Sequence, residues 1–288
     1  MTLADTWASE AAHGTTPAAA IWQEVEWGHY RADLEVWERL VPAGAAVLEL
    51  GCGAGRVALR LAGRGRSVMG VDTDRELIAH LRRVAREARL DVRAEVADTL
   101  ALSLDQRFGV IIAPLQLVNI LAPDERHLLL ANAAAHLDPD GILAMSVISQ
   151  SDLVLALGQK PADAGILPDG SPTAGGWPIS RTLDVLPDVR QEAGWVYASR
   201  PVRLELAAEV VDVHSLRETV SPTGEHEQRT HVDRFNLVDA DILVEEAAGA
   251  GLREVERLAV EPTPADAGAT IVVFELGDRP GTARGAGA

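Results

Sequence analysis

The chain has 288 residues, 47% of them hydrophobic, and a formal net charge of −17. This length and composition are typical of one large domain, or of a domain with a cap, around a sizeable core. Nucleic acids and anionic membrane surfaces are bound through basic patches, so the charge argues against both as partners. We attribute the charge to a solvated acidic surface.

Cys52 is the only cysteine in the chain. An intrachain disulfide and a metal site built from cysteines are therefore excluded, and we predict no metal. The first twenty residues contain no Lys or Arg, and no apolar run reaches the length of a membrane span. We expect a cytoplasmic protein without a secretory leader.

Strands and helices are predicted to alternate over the first half of the chain. We expect residues 1–20 to be flexible and a helical pattern to begin at Ile21. Apolar runs and helical spacing then predict strands at 47–50, 67–71, 92–96, 110–113 and 142–148, and helices at 56–62, 75–86 and 124–137. This alternation indicates an α/β fold, with a parallel sheet and helices on both faces.

The rhythm changes after Ile148. Residues 149–200 are rich in Pro, Gly and Asp and show no clear element, whereas 202–217 alternate between apolar and polar residues. A turn at Ser221-Pro222-Thr223-Gly224 and a returning arm at 226–235 predict an antiparallel excursion. A helix at 239–250 and strands at 252–260 and 269–276 follow. The expected division is a core at 21–148 and 233–276, a variable cap at 149–232, and a disordered tail at 277–288.

The most informative segment is Glu49-Leu50-Gly51-Cys52-Gly53-Ala54-Gly55. It follows an apolar run and leads into a helix, so it predicts a glycine turn between a buried strand and a helix. Glycine permits a sharp turn and a close approach by a ligand. Asp72 ends the next apolar run, where a carboxylate can accept hydrogen bonds from both hydroxyls of a ribose. Together these features predict a cofactor that contains a nucleoside.

The nicotinamide fingerprint requires glycine or alanine where this chain has Arg56. Glu49, directly before the turn, suits an ammonium or sulfonium cation better than a pyrophosphate. The segment resembles motif I of the class I S-adenosylmethionine-dependent methyltransferases, and it matches E-x-G-x-G-x-G position for position. The predicted element order is also similar to the Rossmann-like fold of that family, a seven-stranded sheet that ends in a hairpin. Asp140 departs from the family's L-x-P-G-G turn.

The resemblance implies S-adenosylmethionine as cofactor. By that resemblance, Glu49 and the turn hold its methionine part, Asp72 its ribose and Asp98 its adenine amino group. A capping residue is the alternative interpretation of Asp98, and Tyr30 is as well explained by packing as by a cofactor contact. The full implied set is Tyr30, Glu49, Gly51, Gly53, Gly55, Asp72, Asp98, Thr99 and Leu115.

Spacing alone does not identify a catalytic base or the substrate contacts. The candidate bases are His214, His231 and His127. His214 and His231 lie on opposite arms of the excursion, where they either face one pocket or are solvated strand residues. His127 either acts as a base or lies on a helix surface. Candidate substrate contacts are Arg234, which would bind a carboxylate or form a structural ion pair, and a group of rings in the variable region. These rings, which could instead form the core of the cap, are Trp177, Trp195 and Tyr197.

These features favour an enzyme that methylates O, N or C of a small molecule. Two alternatives remain open at this stage. One is a protein of the same fold that binds the cofactor without methyl transfer, and the other is a nicotinamide-dependent oxidoreductase. A homodimer formed through the cap is a further hypothesis, and no feature of the sequence supports or contradicts it.

Overall fold

The structure, a computed structural model, describes residues 16–115, 117–149, 179–207, 209–262 and 268–277. The α-helices of this part of the chain are α1 (Ala18–Trp27), α2 (Leu34–Leu40), α3 (Arg56–Ala62), α4 (Arg75–Ala88), α5 (Leu117–Ile120), α6 (Pro123–His136) and α7 (Ala240–Gly249). The strands are β1 (Ala46–Leu50), β2 (Ser67–Asp72), β3 (Val92–Val96), β4 (Phe108–Ala113), β5 (Leu137–Val147), β6 (Ile179–Thr182), β7 (Asp188–Glu192), β8 (Trp195–Leu206), β9 (Val210–Val220), β10 (His226–Asn236), β11 (Leu252–Val260) and β12 (Ala269–Leu276).

A seven-stranded sheet with the order β3-β2-β1-β4-β5-β12-β11 forms the core. The first five of these strands are mutually parallel, whereas β12 runs antiparallel to both β5 and β11. The predicted Rossmann-like sheet with a terminal hairpin is therefore confirmed. Among the described residues, no helix combines the length and apolar character needed to cross a membrane.

Apolar side chains cover both faces of this sheet, as expected for central parallel strands. Leu50 and Ile111 belong to the core on one face, which also includes Leu129 of α6 and Leu243 of α7. Alternate residues of the same strands join a second core, together with apolar side chains of α2, α3 and α4. Packing on both faces keeps the sheet in place, and the carboxyl ends of β1, β2, β3 and β4 lie together at one edge of it.

A second, five-stranded antiparallel sheet has the order β10-β9-β8-β6, with β7 also paired to β8. This confirms the predicted excursion, and the predicted turn lies between β9 and β10, where Gly224 N donates to Ser221 O at 2.9 Å. The expectation that 149–200 contains no clear element was wrong, since β6, β7 and the start of β8 lie there. The strand β10 also continues to Asn236, past the predicted boundary at 232/233.

The chain leaves the core after β5 and returns to it after β10, and one buried side-chain amide contacts both of these points. The side chain of Asn119 is 1% exposed, and its Nδ2 donates to Ile148 O at 2.9 Å and to Asn236 O at 2.8 Å. Its Oδ1 accepts from Ile148 N at 3.1 Å. One side chain on α5 thus holds both ends of the segment that contains the second sheet.

The N-terminal helix begins earlier than predicted. It starts at Ala18 rather than Ile21, and Ala18, Ala19 and Ala20 are all buried. The predicted flexible segment is therefore too long at this end. Residues 1–15 and 278–288 lie outside the described residues, and of the predicted tail at 277–288 only Gly277 is described.

Candidate active site

The turn between β1 and α3 takes a backbone path that requires glycine. Gly51, Gly53 and Gly55 have φ values of 67°, 53° and 93°, a region that residues with a side chain rarely adopt. A Cβ at Gly53 would collide with the side chain of Gln23, and one at Gly55 with Leu81. The predicted glycine turn is therefore present, and close approach by a ligand stays a prediction.

Asp72 is held against this turn from the end of β2. Its Oδ2 accepts a hydrogen bond from Gly53 N at 2.9 Å, and its Oδ1 accepts from Asp74 N at 2.9 Å. Burial raises the pKa of the carboxyl above its usual value, and the two backbone amides oppose that shift. Each carboxylate oxygen can accept more than one hydrogen bond, so both retain capacity for a ligand.

Glu49 presents a buried oxygen atom without a partner. The residue is 2% exposed, and among the described residues nothing hydrogen-bonds its Oε2. Burial raises the pKa of this carboxyl to about 8, an effect that Arg56 opposes and that Asp33 and Asp72 reinforce. A buried carboxyl of this kind is suited to a cationic ligand, because a positive charge favours its ionised form.

The residue that departs from the nicotinamide fingerprint, Arg56, has a structural role. Its Nη1 and Nη2 donate to the two carboxylate oxygens of Asp33 at 2.7 and 2.6 Å, and its guanidinium lies 5.1 Å from the centre of the Tyr30 ring. Trp37 Nε1 also donates to Asp33 at 2.8 Å. Tyr30 is buried in this cluster, as its packing interpretation requires, and a cofactor contact by Tyr30 stays a prediction. No pattern in the sequence identified Asp33.

The remaining predicted cofactor residues lie at the same edge of the sheet. Asp98 follows β3 and accepts from Leu100 N at 2.9 Å, so it also caps a short 3-10 turn that contains the buried Thr99. Leu115 follows β4 with a φ of 54°, a strained value for a non-glycine residue. The strand order reverses between β1 and β4, and open α/β sheets bind ligands outside the carboxyl ends of strands at such a point.

A family model described as a methyltransferase domain matches residues 47–141. A ubiquinone biosynthesis O-methyltransferase of Xanthomonas axonopodis pv. citri is 31% identical over 137 residues, which are 46% of this chain and 56% of that protein. A carboxy-S-adenosyl-L-methionine synthase of Chromohalobacter salexigens is 31% identical over 113 residues, 38% of this chain and 42% of that protein. The chain thus spans about half the length of the curated relatives it matches.

Solved structures show the same fold over nearly the whole chain. The CcbJ methyltransferase of Streptomyces caelestis is 21% identical, with a TM-score of 0.61 over 96% of this chain and 97% of that one. A sugar N-methyltransferase of Streptoalloteichus is 17% identical, with a TM-score of 0.63 over 94% of this chain and 98% of that one. The chain is therefore similar to methyltransferases in sequence over residues 47–141, and it has the fold of the solved methyltransferases over nearly its whole length.

The geometry of this site fits S-adenosylmethionine, the cofactor that the similarities support. The partnerless oxygen of Glu49 suits the positive charges of the methionine part, and Asp72 retains acceptor capacity for the ribose hydroxyls. The glycines of the turn between them let Gln23, Leu81 and Leu117 pack directly against its backbone. Cys52, within the turn, is buried, and burial raises the pKa of its thiol, so it behaves as a packing residue.

The helix α1 lies between the glycine turn and the second sheet. The Oε1 atom of Gln23 accepts a hydrogen bond from Ala54 N in the turn. Three residues further along α1, both carboxylate oxygens of Glu26 accept from Arg217 on β9, each at 2.7 Å. Ser199 Oγ on β8 donates to the same carboxylate at 2.8 Å. Sequence patterns pointed to none of these contacts, because each joins residues that are distant in the chain.

The aromatic residues predicted to contact the substrate pack against α1. The rings of Trp22 and Tyr197 meet edge to face with centroids 5.7 Å apart, and Trp195 packs against the same cluster. The Oη atom of Tyr197 is buried without a hydrogen-bond partner among the described residues. These contacts agree with the alternative interpretation, in which the rings form a small core. Trp177 lies outside the described residues.

The two strand histidines do not share a pocket. His231 pairs with Ser215 in the register of β10 and β9, so His214, the neighbour of Ser215, points to the opposite face. The expectation that they could face one pocket was wrong for this reason. His231 is buried, with Nε2 3.1 Å from Asp233 Oδ1, whereas the Nε2 of His214 is 3.3 Å from Glu205 Oε2.

The last two candidates lie on the surface. His127 is exposed on α6, with its Nδ1 2.8 Å from the backbone oxygen of Pro123. The side chain of Arg234 is 68% exposed and donates to both carboxylate oxygens of Asp212 at 2.6 Å. Arg234 is on the same face of the second sheet as His214 and opposite to that of His231. These contacts agree with the alternative interpretations, in which His127 lies on a helix surface and Arg234 forms a structural ion pair.

Proposed function

We propose that this protein transfers a methyl group from S-adenosylmethionine to an O, N or C atom of a small organic molecule. The observation that carries the proposal is the pair of carboxyl groups at the glycine turn. Asp72 is fixed to Gly53 N at 2.9 Å, and Glu49 beside it has an oxygen that no group in the described part of the chain hydrogen-bonds. This arrangement supports binding of a cationic nucleoside, whose sulfonium supplies the reactive methyl group when it is bound.

Each residue at the sheet edge takes a role that its chemistry supports. Asp72 accepts from the ribose hydroxyls, and Asp98 accepts from the adenine amino group. Glu49 stabilises the positive charge of the methionine part. Leu115 follows β4 and contributes an apolar wall close to where the acceptor approaches. The protein aligns the acceptor and excludes water, and both effects favour in-line displacement.

The buried face of the second sheet supports the acceptor side of the site. His231 and Asp233 are 6% and 7% exposed and lie on this face, which also carries Tyr197. A histidine next to a carboxylate can take a proton from a hydroxyl or an ammonium group, while the carboxylate orients the ring. Solved structures of this fold include an amino pentose methyltransferase of Micromonospora echinaspora with bound cofactor. A small polar acceptor of this kind agrees with the polar groups of the face.

A second candidate is a different reaction of the same cofactor. The similarity to a carboxy-S-adenosyl-L-methionine synthase favours this alternative over an oxidoreductase. In that case the product would be a modified cofactor rather than a methylated acceptor.

Calorimetric titration tests the cofactor, and product analysis tests the reaction. We expect binding of S-adenosylmethionine but not NAD, and at least about tenfold weaker binding by Asp72→Asn, since the lost hydrogen bonds involve a charged group. Asp91→Asn removes a charge from an exposed aspartate and is the matched control. Acceptors are then screened with a labelled methyl group. Binding of NAD alone would contradict the proposal, and a carboxylated cofactor in the mass spectrum would favour the second candidate.

A further inference from the structure

A recess on the outer edge of the core sheet has the composition of an anion-binding site. It lies between α4 and β3, has a volume of about 440 Å³, and is lined by Arg82, Arg86, Arg93 and Glu95, together with Leu90, Val92 and Ala94. This volume is within the range of small-molecule sites, roughly 300–1,000 Å³. The recess is separate from the glycine turn, since β3 forms the outer edge of the sheet and β2 stands between it and β1.

The charge of the recess is opposite to that of the whole protein. Three guanidinium groups and one carboxylate line it, in a chain whose formal net charge is −17. Many other arginines in the described part of the chain form ion pairs, such as Arg56–Asp33, Arg126–Glu246, Arg217–Glu26 and Arg234–Asp212, whereas isolated exposed ones such as Arg39 do not. Within the same described ranges, no carboxylate makes an ion pair with Arg82, Arg86 or Arg93. An excess of unpaired positive charge is therefore concentrated at one hollow.

The arrangement of the arginines in the recess lowers the stability of the fold. Arg82 and Arg86 are four residues apart on α4, and like charges at this spacing destabilise a helix. The Nε atom of Arg82 donates to Ala94 O at 2.6 Å, so its side chain is fixed against β3 while its two terminal nitrogens remain available. Charged side chains protect edge strands from pairing, but either sign serves that purpose. Three guanidinium groups around a hollow are better explained by an anionic ligand.

We propose that this recess binds the phosphate of a small phosphorylated molecule. The planar fork of a guanidinium matches two phosphate oxygens, and such charge-assisted hydrogen bonds are about twice as strong as neutral ones. Glu95 provides an acceptor at the same recess for a hydroxyl or amino group of the ligand. An organic phosphate with hydroxyl groups, such as a sugar phosphate or a nucleotide, satisfies both kinds of contact. The site is independent of the cofactor site and of methyl transfer.

Calorimetry at low salt with inorganic pyrophosphate tests this site directly. We expect the wild type to bind and Arg86→Gln and Arg93→Gln each to weaken binding about tenfold, as loss of a charge-assisted contact predicts. Arg86→Lys keeps the charge but loses the fork, and should give an intermediate affinity. Arg39→Gln removes an exposed arginine from α2 and should bind like the wild type. Affinity should fall as salt is added.

Three results would overturn the proposal. The first is no binding of pyrophosphate by the wild type at millimolar concentration, and the second is equal weakening by Arg39→Gln. The third is tighter binding of polyglutamate than of pyrophosphate through the same arginines, which would indicate an acidic protein partner. Affinity for S-adenosylmethionine should be unchanged in every variant. Failure of the cofactor assignment is thus separable from failure of this site.

Discussion

The side chain of Gln23 on α1 accepts a hydrogen bond from the backbone N–H of Ala54 in the glycine turn. One turn later on the same helix, Glu26 is paired with Arg217 of the second sheet at 2.7 Å. A single rigid helix therefore contacts both the cofactor turn and the sheet proposed to hold the acceptor. A shift of α1 at either contact is transmitted to the other.

The contact between Gln23 and the turn predicts how Gly53→Ala affects stability. A Cβ at Gly53 would lie 2.8 Å from Cδ of Gln23, and the φ of 53° adds strain of about 1–2 kcal/mol. We expect urea unfolding to show a loss of free energy that Gln23→Ala partly restores. Gly44→Ala is the matched control, because its φ is 76° but nothing lies within 4 Å of the added Cβ. Equal responses of both glycine variants to Gln23→Ala would refute the contact.

The raised pKa of Glu49 predicts pH-dependent cofactor binding. With a pKa of about 8, this carboxyl is mostly protonated at pH 7, and a cationic ligand favours its ionised form. Affinity for S-adenosylmethionine should therefore rise as pH increases towards about 8, and binding at pH 7 should release a proton. Calorimetry in buffers of different ionisation enthalpy measures that proton. Glu49→Gln should bind weakly and release none; proton release by Glu49→Gln would assign it to another group.

The same pKa has a consequence for stability without ligand. The pKa of Glu49 in the folded protein is raised above the ordinary value of 4.5 to about 8. The folded state therefore holds a proton that the unfolded state has lost, and its stability decreases as pH rises from about 4.5 to about 8. Glu49→Gln should flatten the pH dependence of unfolding in this window. Unfolding midpoints measured at several pH values check it, and an unchanged slope would mean that Glu49 does not titrate there.

The two bidentate ion pairs of the second sheet should differ in their contribution to stability. The side chain of Arg217 is 1% exposed and that of Arg234 is 68% exposed. Glu26→Gln removes the carboxylate that accepts two hydrogen bonds from the buried Arg217, so we expect a loss of about 3–5 kcal/mol of unfolding free energy. The exposed equivalent, Asp212→Asn, should cost at most about 1 kcal/mol. Similar losses in chemical denaturation would contradict the burial of Arg217 against α1.

His231 and His214 provide a matched test of the proposed base. If His231 accepts a proton, His231→Ala should lower turnover by about a hundredfold or more without changing cofactor affinity. His214→Ala, on the opposite face, should leave turnover unchanged. Rates of labelled-methyl transfer across pH check this with any acceptor that is found. Normal turnover by His231→Ala would leave the His231–Asp233 pair with a structural role.

The parts of the fold predicted correctly from sequence were those with local signals. The glycine turn, the buried runs that form β1 and β4, and Asp72 at a strand end are each specified within a few residues. The second sheet was predicted only in part, because β6 and β7 are short strands in a segment rich in Pro and Gly. Gln23 and Asp33 were missed because their partners, Ala54 and Arg56, are brought to them only by tertiary packing. The faces of His214 and His231 depended on strand register, which the alternation of residues in one strand does not determine.

The hydrogen bonds of Asn119 make the inserted sheet a segment that can be exchanged as a unit. Because one amide binds the backbone at both Ile148 and Asn236, the insertion begins and ends at a single point on the core. Its length and content can change while the core strands stay in place, provided that the Arg217–Glu26 contact with α1 is kept. Under the proposed function, related proteins can therefore differ in the acceptor they prefer while they keep the same cofactor chemistry. For engineering, Ile148 and Asn236 are the two positions at which the inserted segment is best exchanged.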